Sequence, residues 1–230
     1  MSANLIAQPA AQFAKANQEY AAADFKAAIN DYEELVRAGN DSPNLFYNLG
    51  NAYFRQKDFG RAILNYERAL ALDSRHPEAQ ANLRIARDEA RALDLVPGRS
   101  ERLLAFATAN QYAVTGAAAF WIGLFLSAML IFNRRRSALV LSILSLSIFA
   151  VSVGALYQLS QGKNGRGLAI IMIDNAEARL ATADTANRVL TLPAGSEIQI
   201  VSHRGDWIYA VLPNNLRGWL PADSAEEVRP

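Results

Sequence analysis

The pattern of apolar and polar positions divides the chain into three parts. Up to about residue 96, aromatic and small side chains recur at a fixed spacing among many charged residues. Between Tyr112 and Leu159 the sequence is almost uniformly apolar. From Gly165 onward, short apolar runs alternate with turn-forming Gly, Pro, Asn and Asp, which is typical of short β-strands. We therefore expect a multidomain protein with domains at 1–96, 97–162 and 163–230.

Two uncharged segments dominate the middle part, Tyr112–Phe132 with 21 residues and Ala138–Leu159 with 22. At about 1.5 Å per residue, each is long enough to cross a hydrocarbon layer of roughly 30 Å as a helix. The link Asn133–Ser137 is short, so the pattern predicts a two-helix transmembrane hairpin with spans at about 112–132 and 138–159. The alternative is a pair of buried core helices, but neither flanking domain is large enough to bury them.

Small side chains recur along both predicted spans, and a stripe of this kind lets helix backbones approach closely in lipid. We expect the two helices to pack on each other through these stripes; the alternative is that they dock another membrane subunit. The stripes comprise Gly116, Ala119, Gly123 and Ser127 on the first helix and Ser147, Ala150 and Gly154 on the second. Neither span contains an acidic, basic or His residue, which argues against transport or proton relay.

The N-terminal part repeats itself with a period of 33–34 residues. From Phe25 the offset is 34, as in Phe25 to Phe59 and Tyr32 to Tyr66, whereas Phe13 aligns with Phe46 at an offset of 33. This alignment predicts that the turn before Phe25 is one residue shorter than the turn before Phe59. A period near 34, with small residues at helix crossings, resembles the tetratricopeptide repeat family. The resemblance implies an all-α solenoid of two repeats and a capping helix from His76 to about Leu95.

Tetratricopeptide repeats usually form protein-binding grooves lined by the first helix of each pair. The resemblance assigns Asn48, Asn51, Arg55 and Asn82 to this groove as candidate contacts; the alternative is that they are ordinary solvated residues. One subfamily grips a terminal carboxylate with several Lys and Arg residues. This chain has Glu78 and Asn82 where the third helix would supply them, so we do not expect that activity.

The C-terminal pattern predicts a small all-β barrel of five or six short strands. The strands are expected at 168–173, 178–180, 189–192, 197–201, 207–212 and 217–221. The phrases LPAGSEIQIV, GDWIYAVL and RGWLPADS resemble bacterial SH3 domains, modules that bind cell-wall or protein peptides. The resemblance makes Trp207, Tyr209 and Trp219 candidates for a ligand face; the alternative is that these rings belong to the core.

Composition excludes several classes of protein. The chain of 230 residues contains no Cys and two His, which excludes disulfides, thiolate metal sites and His-rich metal clusters. The net charge of +1 gives no general attraction to nucleic acid. We find no phosphate-binding glycine loop and no nucleophile–base arrangement, so we expect neither an enzyme nor a cofactor.

The order of repeats, membrane hairpin and SH3 domain resembles the BatE proteins of the bacterial aerotolerance (Bat) group. That resemblance implies a non-enzymatic scaffold whose partners are von Willebrand A-domain Bat proteins and, indirectly, a MoxR-type AAA+ ATPase. The alternative function is peptidoglycan binding through the SH3 domain.

The expected location is the bacterial inner membrane. The cluster Arg134–Arg136 favours a cytoplasmic turn and places both soluble domains outside the cytoplasm. Residues 1–20 lack an export signal, so this orientation implies a longer precursor or a mis-called start. The reverse topology stays open.

Overall fold

The computed structural model describes residues 3–104, 106–132, 136–161 and 167–229. The chain folds into two compact units. One combines the N-terminal part, up to Val96, with the C-terminal part from Gly167; the other contains the residues between them. The ends of the chain thus fold together, and the apolar middle is a unit of its own.

Five helices build the N-terminal part of the first unit. They are α1 (Ala3–Ala21), α2 (Phe25–Arg37), α3 (Pro43–Arg55), α4 (Phe59–Leu72) and α5 (Pro77–Ala90). Asp24 and Asp58 cap α2 and α4, because each carboxylate accepts a hydrogen bond from a backbone N–H at 3.1 Å. These caps lie 34 residues apart, as do Ala23 and Lys57, which both have φ of 62°.

The turns α1–α2 and α3–α4 therefore have equal length, and the repeat period is 34 throughout. The predicted offset of 33 before Phe25 was wrong. It arose because an aromatic residue stands at both candidate offsets, so that Phe13 can be aligned with either Phe46 or Tyr47. The ring contacts decide the alignment: Tyr20 packs on Phe25 at 5.4 Å between centroids, and Phe54 packs on Phe59 at 5.5 Å.

The helices cross closely where their side chains are small. Ala16, Ala28 and Ala62 are fully buried. A Cβ added to Gly50 would lie 2.8 Å from the ring of Tyr66, so α3 and α4 can approach this closely only with glycine there. Stacking these pairs buries a continuous apolar core that a single pair could not form.

Seven antiparallel strands follow in the same unit. They are β1 (Leu168–Ile171), β2 (Ala176–Arg179), β3 (Arg188–Leu192), β4 (Glu197–Arg204), β5 (Trp207–Val211), β6 (Arg217–Pro221) and β7 (Ala225–Glu227). The sheet order is β3-β2-β6-β5-β4-β1-β7. Six strands lie where the alternation predicted them, with bounds shifted by up to three residues, whereas the short β7 was missed.

The predicted closed barrel is not formed. Within residues 167–229 the ladder has two ends, β3 and β7, and no pairing joins them. The edge strand β7 pairs with β1 and is only three residues long. It leaves the sheet open on that side.

The sheet packs against the helices. Leu168, Ile170 and Val228 belong to the same buried cluster as Ile63 and Leu64 of α4. The opposite side of β1, with Ala169 and Ile171, faces a second cluster inside the sheet domain. The helical repeats and the sheet therefore share one core and are two parts of a single folded unit.

The second unit contains α6 (Arg99–Leu104), α7 (Ala109–Phe132) and α8 (Arg136–Gln161). Helices α7 and α8 run antiparallel. The hydroxyls of Ser127 and Ser142 share a hydrogen bond of 2.6 Å, and the hydroxyl of Ser145 donates to the carbonyl of Ala119 at 2.7 Å. Both helices are long and apolar enough to cross a membrane. Only 17% of the most apolar stretch of α7 is buried, and 22% of that of α8, whereas the core helices of a soluble protein are mostly buried.

The small-residue stripe of α7 faces α8, as predicted: a Cβ on Gly123 would lie 2.9 Å from Leu146. The stripe predicted on α8 was wrong. Ser147 is exposed, and a Cβ on Gly154 would meet nothing within 4 Å. A different row of α8 faces α7 instead: Ala138, Ser142, Ser145, Ser152 and Ala155. Arg134 and Arg135 lie outside the described residues.

Candidate protein-binding surfaces

Two identical hydrogen-bonded triads connect successive helices of the solenoid. In the first, Oδ1 of Asn17 accepts from the hydroxyl of Tyr32 at 2.6 Å and from Nδ2 of Asn48 at 2.9 Å. These three side chains come from α1, α2 and α3. One amide oxygen therefore joins both helices of the first pair to the first helix of the next.

The second triad repeats the first one 34 residues later. Oδ1 of Asn51 accepts from the hydroxyl of Tyr66 at 2.8 Å and from Nδ2 of Asn82 at 2.8 Å. Sequence reasoning missed Asn17, Tyr32 and Tyr66 as polar partners, because the offset of 33 aligned Asn17 with Gly50. Aligned at 34, Asn17, Tyr32 and Asn48 each find an identical counterpart.

Three of the four groove candidates thus contribute to structure. Asn48, Asn51 and Asn82 are half-buried, and each has one polar group in a triad. Arg55 lies apart: its guanidinium stands 4.9 Å from the ring centroid of Phe25. Whether the four residues contact a partner stays a prediction.

Burial raises the pKa of the triad tyrosines. It raises the pKa of Tyr32 to about 12, and it raises the pKa of Tyr66 still further. Tyr53 donates to the carboxylate of Glu33, and burial followed by this bond raises its pKa as well. These hydroxyls stay protonated at neutral pH and act as hydrogen-bond donors.

A cleft of about 540 Å³ opens where the first turns of α3 and α5 approach α1. Its walls include the rings of Phe13, Tyr47 and His76 and the carboxylates of Asp73 and Glu78. The rings of Tyr47 and His76 lie 4.9 Å apart, centroid to centroid. Asn48 is the only groove candidate on the wall.

The three SH3 ligand-face candidates share the outer side of the sheet. Tyr209 of β5 pairs with Trp219 of β6, and their ring centroids are 5.0 Å apart. Trp207 points to the same side, because it stands two residues from Tyr209 and the inward-facing Ile208 lies between them. All three rings are half-buried and lie outside the two buried clusters of the sheet. They are the rings that the sheet presents to solvent.

A group of charges holds the sheet to the helices, and sequence reasoning missed it. Arg87 of α5 donates to Glu67 of α4 and to Glu197 of β4. The side chain of Glu197 has no exposed surface, and its Oε2 accepts from the N–H of Leu95 at 2.9 Å. Glu197 lies in an alternating strand pattern, which by itself predicts only which side of the sheet it faces.

A smaller set of contacts repeats this connection at the last strand. Nη2 of Arg68, on α4, donates to the carboxylate of Glu226 at 2.8 Å and to the carbonyl of Glu227 at 3.2 Å. The guanidinium of Arg229 donates to the carbonyl of Ala71 at 2.8 Å. Across residues 3–104, 106–132, 136–161 and 167–229, no cluster of His, Asp and Glu has the geometry of a metal site.

Comparison with known proteins supports the class of the helical part. The tetratricopeptide repeat family model matches residues 43–76, the stretch that contains α3 and α4. The comparison with curated proteins finds no match to the chain. The chain therefore carries a tetratricopeptide repeat, flanked in the same unit by a helix pair with the same 34-residue hydrogen-bond pattern and by an antiparallel sheet.

Proposed function

We propose that this protein is a non-enzymatic scaffold that a helical hairpin anchors in the membrane. The main support is the tetratricopeptide repeat at residues 43–76, since this class of repeat mediates protein–protein interaction. The hairpin supports the anchoring: α7 exposes large apolar side chains such as Trp121 and Phe125, with 66% and 70% of their surface accessible. Lipid tails would cover such surface at no cost.

The finer proposal concerns the partners. The order of repeats, hairpin and SH3-like sheet supports membership of the Bat group, with von Willebrand A-domain proteins as direct partners and a MoxR-type AAA+ ATPase as an indirect one. In this arrangement the protein lies in the bacterial inner membrane with its soluble unit outside the cytoplasm.

Affinity purification from solubilised bacterial membranes tests the scaffold. The tagged full-length protein should co-purify with von Willebrand A-domain proteins. A matched variant, Asn51→Ala with Asn82→Ala, disturbs the second triad on the groove side and should recover less of them. Recovery of the same proteins by an unrelated two-span membrane protein would refute the proposal.

A second candidate function is binding of peptidoglycan through the SH3-like sheet. The half-buried pair of Tyr209 and Trp219 on the outer side of the sheet favours it, since apolar patches at a protein surface often mark ligand-binding sites. Co-sedimentation of the detergent-solubilised full-length protein with purified cell wall tests this function. Binding that Trp219→Ala abolishes and Asn51→Ala leaves intact would assign the wall-binding role to the sheet.

A further inference from the structure

We propose that the cleft between α1, α3 and α5 binds a cationic side chain, Lys or Arg, of a partner polypeptide. The inference rests on the proposed scaffold function and names the chemistry that its groove would select. It concerns the cleft walls formed by Phe13, Tyr47, His76, Asp73 and Glu78, which we call the acidic–aromatic cleft.

The charges of the cleft have one sign. Asp73 and Glu78 are both on its wall, and none of the described residues lining it is Lys or Arg. Both residues are exposed, and Glu78 keeps 62% of its side-chain surface accessible. A cation brought by a partner would meet two carboxylates and no like charge.

The Glu78 carboxylate lies next to His76 on the cleft wall. Nδ1 of His76 accepts a hydrogen bond from the backbone N–H of Ala79 at 3.3 Å, as the N-cap of α5. This nitrogen also lies 3.2 Å from Oε2 of Glu78. The Glu78 carboxylate therefore stands beside the imidazole at the entrance of α5, and most of its own surface stays exposed on the cleft.

The rings supply the second part of the recognition. Tyr47 and His76 pack at 4.9 Å, with an interplanar angle of 35°, and Phe13 lies on the same cleft. Aromatic faces attract Arg and Lys, and a long side chain can bury its methylene groups against them. With a volume of about 540 Å³, the cleft has room for such a side chain. Rings together with carboxylates favour a cation over an apolar or an acidic group.

Selection from a library of short peptides with both termini blocked tests the inference, with the full-length protein in detergent micelles as bait. Enriched peptides should share an Arg or Lys, and replacing that residue by Gln should weaken binding about tenfold. Asp73→Asn with Glu78→Gln should weaken the best peptide about fivefold to tenfold. The matched control is Glu89→Gln, an exposed carboxylate of α5 that is not on the cleft wall. It should change nothing.

Added salt should weaken the native complex and have less effect on the double variant, because exposed ion pairs are screened. Enriched peptides without Lys or Arg, or unchanged binding by the double variant, would overturn the inference and leave the scaffold function standing. No enrichment at all would also overturn it, and the membrane purification would then decide the scaffold function separately.

Discussion

Nη2 of Arg87, on the last helix of the repeats, donates to Oε1 of Glu197, on the fourth strand of the sheet, 110 residues along the chain. Arg87 also binds Glu67 on the neighbouring helix. Arg87 thus neutralises carboxylates from two parts of the fold, and its Nε lies 3.1 Å from Oδ1 of Asp94 as well. Replacing Arg87 would remove this positive charge from beside the buried carboxylates.

Replacing Arg87 by Met is therefore expected to destabilise the first unit by about 3 kcal/mol, since breaking a buried ion pair by removing one partner is strongly destabilising. Urea unfolding of the detergent-solubilised protein measures the loss. The control is Arg84→Met, an exposed residue on the same helix, which should change stability by less than about 0.5 kcal/mol. Equal effects of the two substitutions would contradict the structural role of Arg87.

Close packing of the sheet on the helices gives a second prediction. A Cβ on Gly195 would lie 2.4 Å from Cδ1 of Ile63, and Gly195 has φ of +86°. Gly195→Ala should cost about 2 kcal/mol or more, from overpacking and backbone strain together. Gly205→Ala is the control for strain alone: Gly205 has φ of +58° and no neighbour within 4 Å of an added Cβ. In thermal unfolding, Gly195→Ala should have a lower melting temperature than Gly205→Ala. The reverse order would contradict the close packing of Gly195 on Ile63.

The buried tyrosines predict how stability changes at alkaline pH. Burial raises the pKa of Tyr32 from the ordinary 10.0 to about 12. The folded state therefore holds this proton more tightly than the unfolded state. The resulting stability is fully present below pH 10 and is lost as pH rises from 10 to about 12.

Tyr32→Phe should flatten the decline of unfolding free energy across this range, although it also removes the bond to Asn17. Urea unfolding at several alkaline pH values measures the slope, and tyrosinate absorbance reports the titration. Tyr209→Phe, on the outer side of the sheet, is the matched removal of a tyrosine hydroxyl, and its slope is compared with that of Tyr32→Phe. If the unfolding free energy of both variants falls with pH as steeply as that of the native protein, burial of Tyr32 does not cause the alkaline loss of stability.

Packing of the helical hairpin can be tested with engineered cysteines, since the chain has none of its own. Ser127→Cys with Ser142→Cys replaces two hydroxyls that lie 2.6 Å apart and should form a disulfide under mild oxidation. Ser127→Cys with Ser147→Cys should not, because Ser147 is exposed on α8. Mobility on a non-reducing gel distinguishes the two pairs. Cross-linking of the second pair instead would mean that α8 is rotated about its axis.

Membrane topology gives the last prediction. Single cysteines at the exposed positions Asp41, Ser137 and Ser202 are treated with an impermeant thiol reagent on spheroplasts. Positions 41 and 202 should be labelled and position 137 protected, as expected if Arg134–Arg136 face the cytoplasm. The reverse result would place the soluble unit in the cytoplasm. Opposite labelling of positions 41 and 202 would refute the hairpin itself.

The sequence predicted the elements well because their patterns are local. Five helices, two long apolar helices and six of the seven strands lie close to where spacing and turn residues indicated. The strand β7 escaped because Ala225–Glu227 is three residues long, with two carboxylates and no alternation of apolar side chains. Its place at the edge depends on pairing with β1, which no local pattern records.

The sequence did not predict how the elements pack against one another. Nothing near Glu197 or Arg87 indicates that the two side chains meet, because 110 residues lie between them. The packing side of α8 was misread for a related reason. Ser147, Ala150 and Gly154 form a stripe as regular as the row around Ser142 and Ser145, and only the rotation of α8 against α7 selects one of them.

The shared core of repeats and sheet constrains how the protein can be made. A ribosome synthesises α1 to α5 first, then the hairpin, and β1 to β7 last. Until β4 emerges, Arg87 has no Glu197 to bind, and Ile63 of α4 lacks the cover of Gly195. The repeats can therefore reach their full packing only after α7, α8 and the strands have been synthesised as well. A chain truncated anywhere before β4 would leave the repeats with uncovered apolar surface that chaperones and proteases recognise.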